Sequence, residues 1–473
     1  MTAPTISSQQ VSDMMDELER YGQAHVLGFW DRLTHAEQVS LFAQLSSISL
    51  PELAALAVQQ QTAVDYASLA ARASSPPAVQ ADGRGAAWQV SEAVVRGQQA
   101  LSAGQVACLI VAGGQGTRLG FDKPKGMFPI GPVSGRTLFQ LFADRLIAIG
   151  QRYGKRIPVY LMTSPATHDQ TVQYWEEHDW LGLDPQQVRI FCQGTMPAVD
   201  CETGKILMTS PAEIALSPDG HGGALGALRR SGCLDDAAGR GIRYLSYGQV
   251  DNPLTQLCEP SLLGHHIFSG SEMTTQVVRK RHPTEKVGNV VLADGRVQII
   301  EYSDLPEDAA RRTDDQGNLV LWAGNIAVHV FDIQFLQSMA HQAEALPFHR
   351  AIKAVPYVDA DGQLRVPDKP NAIKFERFIF DLLPHAEHAF VVEGKREQVF
   401  APVKNADDAD ADTPRLAKQA IVLLARDLLS TAGVAVAEGV QVEIQPQFAL
   451  DVAETREKLS GVDLISSDRY FSV

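Results

Sequence analysis

Apolar residues in the N-terminal part of the chain recur at helical spacing among polar ones, at Leu18, Leu27, Trp30, Leu33, Leu41 and Leu45. This pattern predicts helices over residues 10–72. Pro51 and Glu52 mark a helix start, because proline fits the first turn of a helix. Residues 74–84 are rich in turn-forming residues and predict a connection. No pattern here indicates chemistry, so we interpret residues 1–100 as an accessory helical region.

Between residue 104 and about residue 380, short apolar runs alternate with amphipathic stretches. The apolar runs predict strands at residues 106–112, 158–163, 188–192, 243–250 and 327–331. The amphipathic stretches predict helices at residues 137–152, 166–178 and 221–231. Alternation of this kind predicts an α/β fold with a central, mostly parallel sheet covered by helices.

A hairpin is predicted within this part of the chain. Residues 290–292 and 297–300 are apolar and flank the sequence Ala-Asp-Gly at 293–295, which favours a tight turn. We expect the α/β domain to cover residues 101–380.

The C-terminal part has a different pattern. An acidic, loop-like stretch at residues 405–413 precedes a predicted helix at 415–431, and residues 434–451 favour strands. We therefore expect a small C-terminal domain over residues 381–473.

Composition limits the classes of protein to which the chain can belong. It has 473 residues, of which 45% are hydrophobic, enough for two or three globular domains. The formal charge of −15 argues against non-specific binding of nucleic acid. It is compatible with a local basic pocket for a phosphorylated substrate, because net charge does not describe local fields.

The cysteines and the N-terminus bear on the cellular compartment. The five cysteines include no C-x-x-C spacing, so neither a disulfide framework nor a zinc site is expected. The first residues lack the basic and apolar regions of a signal peptide, and no apolar run has the length of a membrane span. We expect a cytoplasmic protein without membrane or nucleic-acid partners; no pattern determines an oligomeric state.

The segment with the most specific chemistry is residues 106–131, VACLIVAGGQGTRLGFDKPKGMFPIG. Its apolar strand ends at Gly113 and Gly114, where backbone N–H groups can approach an anion without interference from a Cβ atom. Arg118 and Lys125 follow in the same loop, and two cations suit a polyphosphate. The segment therefore predicts a phosphate-binding loop.

Three classes of phosphate loop compete for this segment. A Walker A loop requires Gly-Lys-Ser/Thr, but Lys125 is followed by Gly126 and Met127. A dinucleotide-binding loop requires G-x-G-x-x-G, but Leu119 occupies the third glycine position. The nucleotidyltransferase pattern, G-G-x-G-T-R-L followed by P-K, agrees at every position. An ordinary loop with two solvated cations is the structural alternative.

Polar residues also follow other predicted strands, where the ligand crevice of an open α/β sheet lies. Asp251 comes just after an apolar strand, and Asn325 stands at a strand start. Lys374 and Lys404 lie in further polar segments, and a second glycine-rich loop, PDGHGG, occupies residues 218–223.

Together these segments resemble the eukaryotic-type UDP-N-acetylglucosamine pyrophosphorylases, within the wider UDP-sugar pyrophosphorylase family. The segments that carry the resemblance occur in the family's order and comprise the two glycine-rich loops and residues 250–252, 301–303, 324–327 and 403–407. The resemblance implies a nucleotidyltransferase α/β domain, UTP and a sugar-1-phosphate as substrates, and Mg²⁺ as cofactor.

The resemblance also assigns roles to residues. The phosphate-holding, catalytic positions are Arg118, Lys125 and Lys404. The nucleotide-binding positions are Val111, Ala112, Gly113, Gly114, Gln193, Gly220, Asp251 and Lys374. Asp251 is also the expected Mg²⁺ ligand. The sugar-binding positions are His221, Glu301, Tyr302 and Asn325.

One position departs from the family pattern, because His221 stands where P-D-G-N-G-G has an Asn that touches the sugar. The resemblance implies UDP-N-acetylglucosamine as the product, and the departure at His221 leaves UDP-glucose or another UDP-hexose as the alternative. A non-catalytic regulatory protein that binds nucleotide sugars is the alternative from another class, and an oxidoreductase is a third.

Each assigned residue also has a structural interpretation. Asp251 suits a turn cap with the following Asn, and Lys374 suits a solvated position on a helix. Glu301 suits a cross-strand pair, and His221 suits a cap or a packing position at the helix start.

Overall fold

The computed structural model describes residues 6–58, 65–341 and 346–473. The predicted N-terminal helical region includes residues 1–5 and 59–64, which lie outside the described residues. The α-helices of the described chain are α1 (Ser8–Arg20), α2 (His35–Ser46), α3 (Leu50–Val58), α4 (Tyr66–Arg72), α5 (Val90–Ser102), α6 (Leu138–Tyr153), α7 (His168–Glu177), α8 (Gly223–Arg230), α9 (Cys233–Gly239), α10 (Pro260–Ser269), α11 (Glu307–Ala310), α12 (Ile333–Ala340), α13 (Arg396–Val399), α14 (Pro414–Ala432) and α15 (Val452–Lys458).

The β-strands of the described chain are β1 (Ala78–Val79), β2 (Val106–Val111), β3 (Val159–Thr163), β4 (Val188–Cys192), β5 (Thr195–Pro197), β6 (Val199–Asp200), β7 (Met208–Ser210), β8 (Glu213–Ile214), β9 (Leu216–Pro218), β10 (Tyr244–Gln249), β11 (Met273–Arg279), β12 (Asn289–Ala293), β13 (Arg296–Ile300), β14 (Ala323–Asp332), β15 (His349–Lys353), β16 (Tyr357–Val358), β17 (Leu364–Arg365), β18 (Ala372–Glu376), β19 (Ala389–Glu393), β20 (Ala435–Val436), β21 (Val442–Ile444), β22 (Leu464–Ile465) and β23 (Arg469–Phe471). The five predicted strands of the α/β part correspond to β2, β3, β4, β10 and β14, and its three predicted helices to α6, α7 and α8.

The largest sheet has ten strands, ordered β1-β19-β11-β14-β10-β2-β3-β4, with the β12–β13 hairpin attached to β14. Strands β4, β3, β2 and β10 run parallel to one another, whereas β14 runs antiparallel to both β10 and β11. The predicted α/β fold with a mostly parallel sheet is confirmed. The antiparallel β14 is a feature that the alternating pattern does not predict, because pattern gives an element's type and not its direction.

The parallel arrangement determines where several polar residues lie. The carboxyl ends of β2, β3, β4 and β10 share one edge of the sheet, since these strands run in the same direction. Gly113, Ser164, Gln193 and Asp251 each follow one of these ends within two residues.

The predicted hairpin is confirmed by β12 and β13, which pair antiparallel from Asn289 opposite Ile300 to Ala293 opposite Arg296. The two turn residues, Asp294 and Gly295, have φ angles of 51° and 75°. Two positive φ angles in succession are the condition for the primed turns that match the twist of a hairpin.

By contacts, the chain divides into two compact units. Unit 1 comprises Met1–Asp65, Gly194–Gly223 and Glu344–Ile379, and unit 2 comprises Tyr66–Gln193, Ala224–Ala343 and Phe380–Val473. This division differs from the predicted boundaries at residues 100 and 380, because segments distant in sequence pack together. Contacts alone do not test independent folding, so the three predicted domains stay a prediction.

Unit 1 has its own apolar core. Leu18 and Leu41, from helices α1 and α2, are fully buried together with Ile206 and Phe375. A three-stranded sheet, β15-β18-β6, belongs to the same unit. The N-terminal helices therefore bury their apolar stripe against strands that lie far along the sequence, so the region is part of a packed unit.

Helix α5, predicted as part of the N-terminal region, packs in unit 2 against α10. A Cβ atom at Gly97 would stand 1.9 Å from the carbonyl oxygen of Pro260, and one at Gly264 would stand 1.7 Å from that of Ala93. Only glycine permits this approach of two helix backbones. The contact holds α5 against the helix that follows the segment after Asp251.

The C-terminal part of unit 2 is built on α14, which confirms the helix predicted at residues 415–431. The predicted strand-rich stretch 434–451 contains two short strands, β20 and β21, which pair with β22 and β23. No single helix of the described chain has the length and apolarity to cross a membrane; α2 and the part of α3 that ends at Ala57 meet the criterion only as a pair bent by 64°.

Candidate active site

The glycine-rich loop leaves β2 and returns on itself. The N–H of Lys125 donates to the carbonyl of Gly114 at 3.0 Å, and the N–H of Gly116 donates to the carbonyl of Lys123 at 3.0 Å. The first of these bonds fixes the cation-bearing turn against the glycines after the strand. The predicted loop therefore has a defined shape within unit 2.

The turn that carries Lys125 is also fixed by packing against helix α6. Gly126 lies on the ring of Phe139, the second residue of α6, and a Cβ atom there would stand 2.2 Å from a ring carbon. Phe139 is fully buried. Lys125 is therefore presented from a turn that packs directly on the core.

Two further strand ends border the loop. The hydroxyl of Ser164, just after β3, donates to the carbonyl of Gly113 at 2.7 Å. Gln193, just after β4, is buried, and its Oε1 would lie 3.1 Å from a Cβ atom at Gly113. The structure therefore brings Gln193 to the glycine loop, as the assigned roles require. Ser164 was missed, and its place directly after a predicted strand is the only signal the sequence offers.

Lys125 faces a carboxylate from the neighbouring strand. Its Nζ lies 3.6 Å from Oδ2 of Asp251, and the side chain of each residue is 16% exposed. The N–H of Val250 donates to the carbonyl of Val111 at 3.0 Å, which fixes the end of β10 beside the end of β2. The pair is thus held by the sheet itself.

Asn252 holds the segment that leads to Lys404. Its amide donates to the carbonyl of Val399 at 2.7 Å, and its side-chain oxygen accepts the N–H of Ala401 at 3.0 Å. The carbonyl of Asp251 accepts the N–H of Val403 at 2.8 Å. The turn-cap interpretation of this dipeptide therefore describes Asn252, whereas the carboxylate of Asp251 faces Lys125.

Lys404 is placed by a second acidic residue that sequence reasoning missed. The carbonyl of Asp412 accepts the N–H groups of Lys404 and Asn405 at 2.7 and 3.0 Å. Burial raises the pKa of Asp412; the charge of Lys404 opposes this and that of Asp251 adds to it. Lys404, Asp412 and Asp251 therefore share one electrostatic environment. Asp412 lies in the acidic stretch, residues 405–413, that the sequence predicted as loop-like.

Two of the assigned sugar residues meet at Gly288. A Cβ atom on Gly288 would stand 2.7 Å from Oε1 of Glu301 and 3.6 Å from Cβ of Asn325. The N–H of Asn325 donates to the carbonyl of Gly288 at 2.8 Å. Its side-chain oxygen accepts the N–H of Ala327, a residue with a φ of 54°. Within the described residues, the side-chain nitrogen of Asn325 makes no hydrogen bond and is available as a donor.

The other assigned residues are more dispersed. Tyr302 is 48% exposed and follows Glu301 outside the strand. Arg118 lies exposed in a short 3₁₀ turn of the glycine loop. Lys374 lies on β18 of unit 1, opposite Ala351, so its interpretation as a helix lysine is wrong.

The second glycine-rich loop belongs to unit 1 and pairs with the segment after β18. The N–H of Gly222 donates to the carbonyl of Arg377 at 2.7 Å, and the N–H of Arg377 donates to the carbonyl of Asp219 at 2.8 Å. Gly220 has a φ of 81°, and a Cβ atom there would stand 2.4 Å from the carbonyl oxygen of Arg377. This position therefore requires glycine on two grounds.

His221 is held in the same loop. Its Nδ1 lies 3.2 Å from the backbone nitrogen of Ile379 and accepts its N–H, and its ring stacks on Phe378 at 5.3 Å between centroids. Burial of the ring, and next the neighbouring His349, lower its pKa to about 4. The imidazole is therefore neutral, with its proton on Nε2. Its stack on Phe378 agrees with the packing alternative, whereas its bond to Ile379 differs from a helix cap.

The described chain has no cluster of three or more His, Cys, Asp or Glu residues suited to hold a metal ion by themselves. Asp251, beside the glycine loop, fits a Mg²⁺ ion of the kind that takes one or two carboxylates and completes its shell with substrate phosphates and water. The donor set thus suits a metal that arrives with a polyphosphate.

A family model described as UTP–glucose-1-phosphate uridylyltransferase matches residues 80–449. The chain is 37% identical over 429 residues to the UDP-N-acetylhexosamine pyrophosphorylase-like protein 1 of Homo sapiens, with 87% of this chain and 83% of that protein covered. It is 34% identical over 444 residues to the UDP-N-acetylglucosamine pyrophosphorylase of Saccharomyces cerevisiae, with 90% of this chain and 93% of that protein covered. The crystal structure of the Trypanosoma brucei uridine diphosphate N-acetylglucosamine pyrophosphorylase in complex with inhibitor has a TM-score of 0.82 at 25% identity, with 98% and 100% covered. The chain belongs to the UTP–glucose-1-phosphate uridylyltransferase family.

Proposed function

We propose that the protein is a uridylyltransferase that forms a UDP-sugar and pyrophosphate from UTP and a sugar-1-phosphate. The observation that carries the proposal is the ion pair of Lys125 and Asp251 beside the glycine-rich loop. Glycine backbone, a cation and a carboxylate at one sheet edge are the groups that a nucleoside triphosphate with its metal requires. The names of the relatives support the same reaction class.

The reaction needs few chemical groups from the protein. An oxygen of the sugar-1-phosphate attacks the α-phosphorus of UTP in line, the α–β bridge breaks, and pyrophosphate leaves with the electron pair. The attacking oxygen is already anionic, so no general base is required. What remains is to align two anions and to neutralise the charge that develops, which fixed cations and backbone N–H groups accomplish.

We assign these tasks to residues of the site. The N–H groups of Gly113 and Gly114, with Lys125 and Arg118, bind the phosphates of UTP, and Lys404 supplies a further cation. Asp251 holds Mg²⁺. When bound, the metal would supply positive charge to the phosphate oxygens.

We propose N-acetylglucosamine-1-phosphate as the preferred sugar, and glucose-1-phosphate as the alternative that the family description favours. Pyrophosphate release from UTP and Mg²⁺ should be measured with each sugar phosphate, and the UDP-sugar identified by mass spectrometry. The highest kcat/KM is expected with N-acetylglucosamine-1-phosphate. If no sugar-1-phosphate yields pyrophosphate, the protein is the non-catalytic binding protein instead.

His221 offers a test of sugar choice. Its Nδ1 accepts the N–H of Ile379, so the neutral ring donates through Nε2. An Asn in its place can accept the same N–H through Oδ1, but its amide donor would lie closer to the backbone. Because a site built around a hydrogen bond discriminates strongly, His221→Asn should change the ratio of kcat/KM for the two sugar phosphates by about tenfold or more. The exposed His35, changed to Asn, is the control, and an unchanged ratio in His221→Asn would assign that residue to structure alone.

A further inference from the structure

A cavity of about 500 Å³ lies in unit 2 among α5, α6, α14 and the segment after β21. The apolar part of its wall comes from Leu141, Phe142, Ile149, Leu424, Leu428 and Ile444. The volume is that of a pocket for a small organic molecule. The glycine loop, Lys125, Asp251 and Lys404 do not line it, so the cavity is separate from the proposed nucleotide site.

Arg145 of α6 places a positive charge in this wall. Its Nε donates to the carbonyl of Leu257 at 2.9 Å, and no carboxylate of the described chain lies within 4.0 Å of its guanidinium. Burial lowers its pKa; the strongest opposing charge is that of Glu259, whose carboxylate accepts the N–H of Leu262 instead. A guanidinium keeps its proton at neutral pH, so Arg145 is charged. The wall is mostly apolar, and its other charged residues are Arg152, Glu259, Asp427, Glu443 and Asp451.

Two neighbouring arginines are each paired with a carboxylate. About two helical turns further along α6, Arg152 pairs with Asp451 at 2.8 Å, and Arg136 just before the helix pairs with Asp144 at 2.6 Å. Arg145 differs from both in lacking a paired carboxylate. The remaining donors of its planar fork match the geometry of a carboxylate or phosphate supplied from outside.

A second polar group in the wall is also unsatisfied. The hydroxyl of Thr255 is buried, the residue being 4% exposed, and it has no hydrogen-bond partner in the described chain. The adjacent Gln256 donates to the carbonyl of Gln398 at 3.3 Å. A buried hydroxyl without a partner is uncommon in a native protein.

We infer that this cavity is a second binding site, for a small amphiphilic anion whose head group is bound by Arg145 and whose apolar body fills the cavity. The segment 253–256 that lines it begins two residues after Asp251, and Gln398 precedes the residues that Asn252 holds. The site therefore lies against the two segments that carry Asp251 and Lys404. Binding itself does not depend on the proposed function.

The probe is 1-anilinonaphthalene-8-sulfonate, a sulfonate on an aromatic body whose fluorescence rises in apolar surroundings. Its uncharged counterpart, N-phenyl-1-naphthylamine, measures apolar binding alone. Arg145→Met should weaken binding of the sulfonate by about tenfold or more, which is about 1.4 kcal/mol, and leave the uncharged probe within about twofold. Arg230→Met, at an exposed helix position outside the cavity, should change neither. Equal binding of the sulfonate by the Arg145→Met variant and the unaltered protein overturns the inference.

A second variant covers the case in which Arg145→Met does not fold. Leu428→Trp keeps the charge and fills the cavity, so it should abolish binding of both probes while the melting temperature stays within a few degrees. Retained binding in a folded Leu428→Trp protein places the probe elsewhere and overturns the inference.

Displacement of the sulfonate probe identifies the head group. Octanoate or octyl phosphate should displace it, and whichever does so at lower concentration names the natural head group. Octylammonium, which has the same body with the opposite charge, should not. If octylammonium displaces the probe as efficiently as the anions do, the site does not recognise an anion. If UTP displaces it competitively, the probe binds at the nucleotide site. Either result overturns the inference.

Discussion

Replacing Lys125 by Ala tests the core of the proposed site. The Nζ atom lies 3.6 Å from the Asp251 carboxylate, and its side chain is only 16% exposed, so the charge acts in partly dehydrated surroundings. At an effective dielectric constant of about 20, unit charges at that distance attract by about 4 to 5 kcal/mol. A phosphate oxygen in similar contact would lose a comparable interaction when the ammonium group is removed.

We therefore expect Lys125→Ala to lower kcat by about a thousandfold, equivalent to about 4 kcal/mol. The fold should survive, because the bond from the Lys125 N–H to Gly114 involves only backbone and Gly126 still packs on Phe139. Steady-state release of pyrophosphate at saturating UTP gives kcat, and thermal unfolding followed by circular dichroism tests the fold.

Two variants test whether the effect on kcat depends on the charge at position 125 or on any positive charge in the loop. Lys123→Ala removes an exposed cation two residues away. Lys123 holds Gly116 through its backbone carbonyl and not through its side chain, so this variant should keep kcat within about twofold. Lys125→Arg keeps the charge and should retain more activity than the alanine variant. A folded Lys125→Ala protein with kcat within tenfold of the unaltered protein would refute the assignment of Lys125 to the phosphates.

Further changes address the metal, the packing and the pH response. Asp251→Asn should raise the Mg²⁺ concentration needed for half-maximal activity, since Mg²⁺ prefers carboxylate oxygen; an unchanged titration curve would make this carboxylate structural. Gly264→Ala should destabilise the protein by at least about 3 kcal/mol in urea unfolding, because its Cβ atom would lie 1.7 Å from the Ala93 backbone. The control is Gly239→Ala, which has open space around it and should be neutral or stabilising. The pKa of His221 is about 4 in the folded protein and 6.5 when unperturbed, so the folded state binds fewer protons and loses stability as pH falls from 6.5 towards 4. Between pH 7.5 and 5, His221→Asn should therefore lose about 1 to 2 kcal/mol less stability than the unaltered protein, and parallel curves would contradict this.

The sequence by itself determined the local part of the site. The apolar run and the glycines that follow it are contiguous, so the strand β2, its turn and the position of Lys125 follow from residue type and spacing. Asp251 and Gln193 could also be placed near that loop, because parallel strands bring their carboxyl ends to a common edge. Local pattern and one rule of sheet topology were sufficient here.

Tertiary structure decided the rest. The antiparallel direction of β14, the packing of α5 on α10 through Gly97 and Gly264, and the assembly of unit 1 from three segments all depend on contacts between residues far apart in sequence. Asn252 and Asp412 hold the segment around Lys404 through hydrogen bonds to carbonyl and N–H groups that folding places beside them. Residue type limits what a side chain can bond, but only the folded chain determines which partners stand within reach.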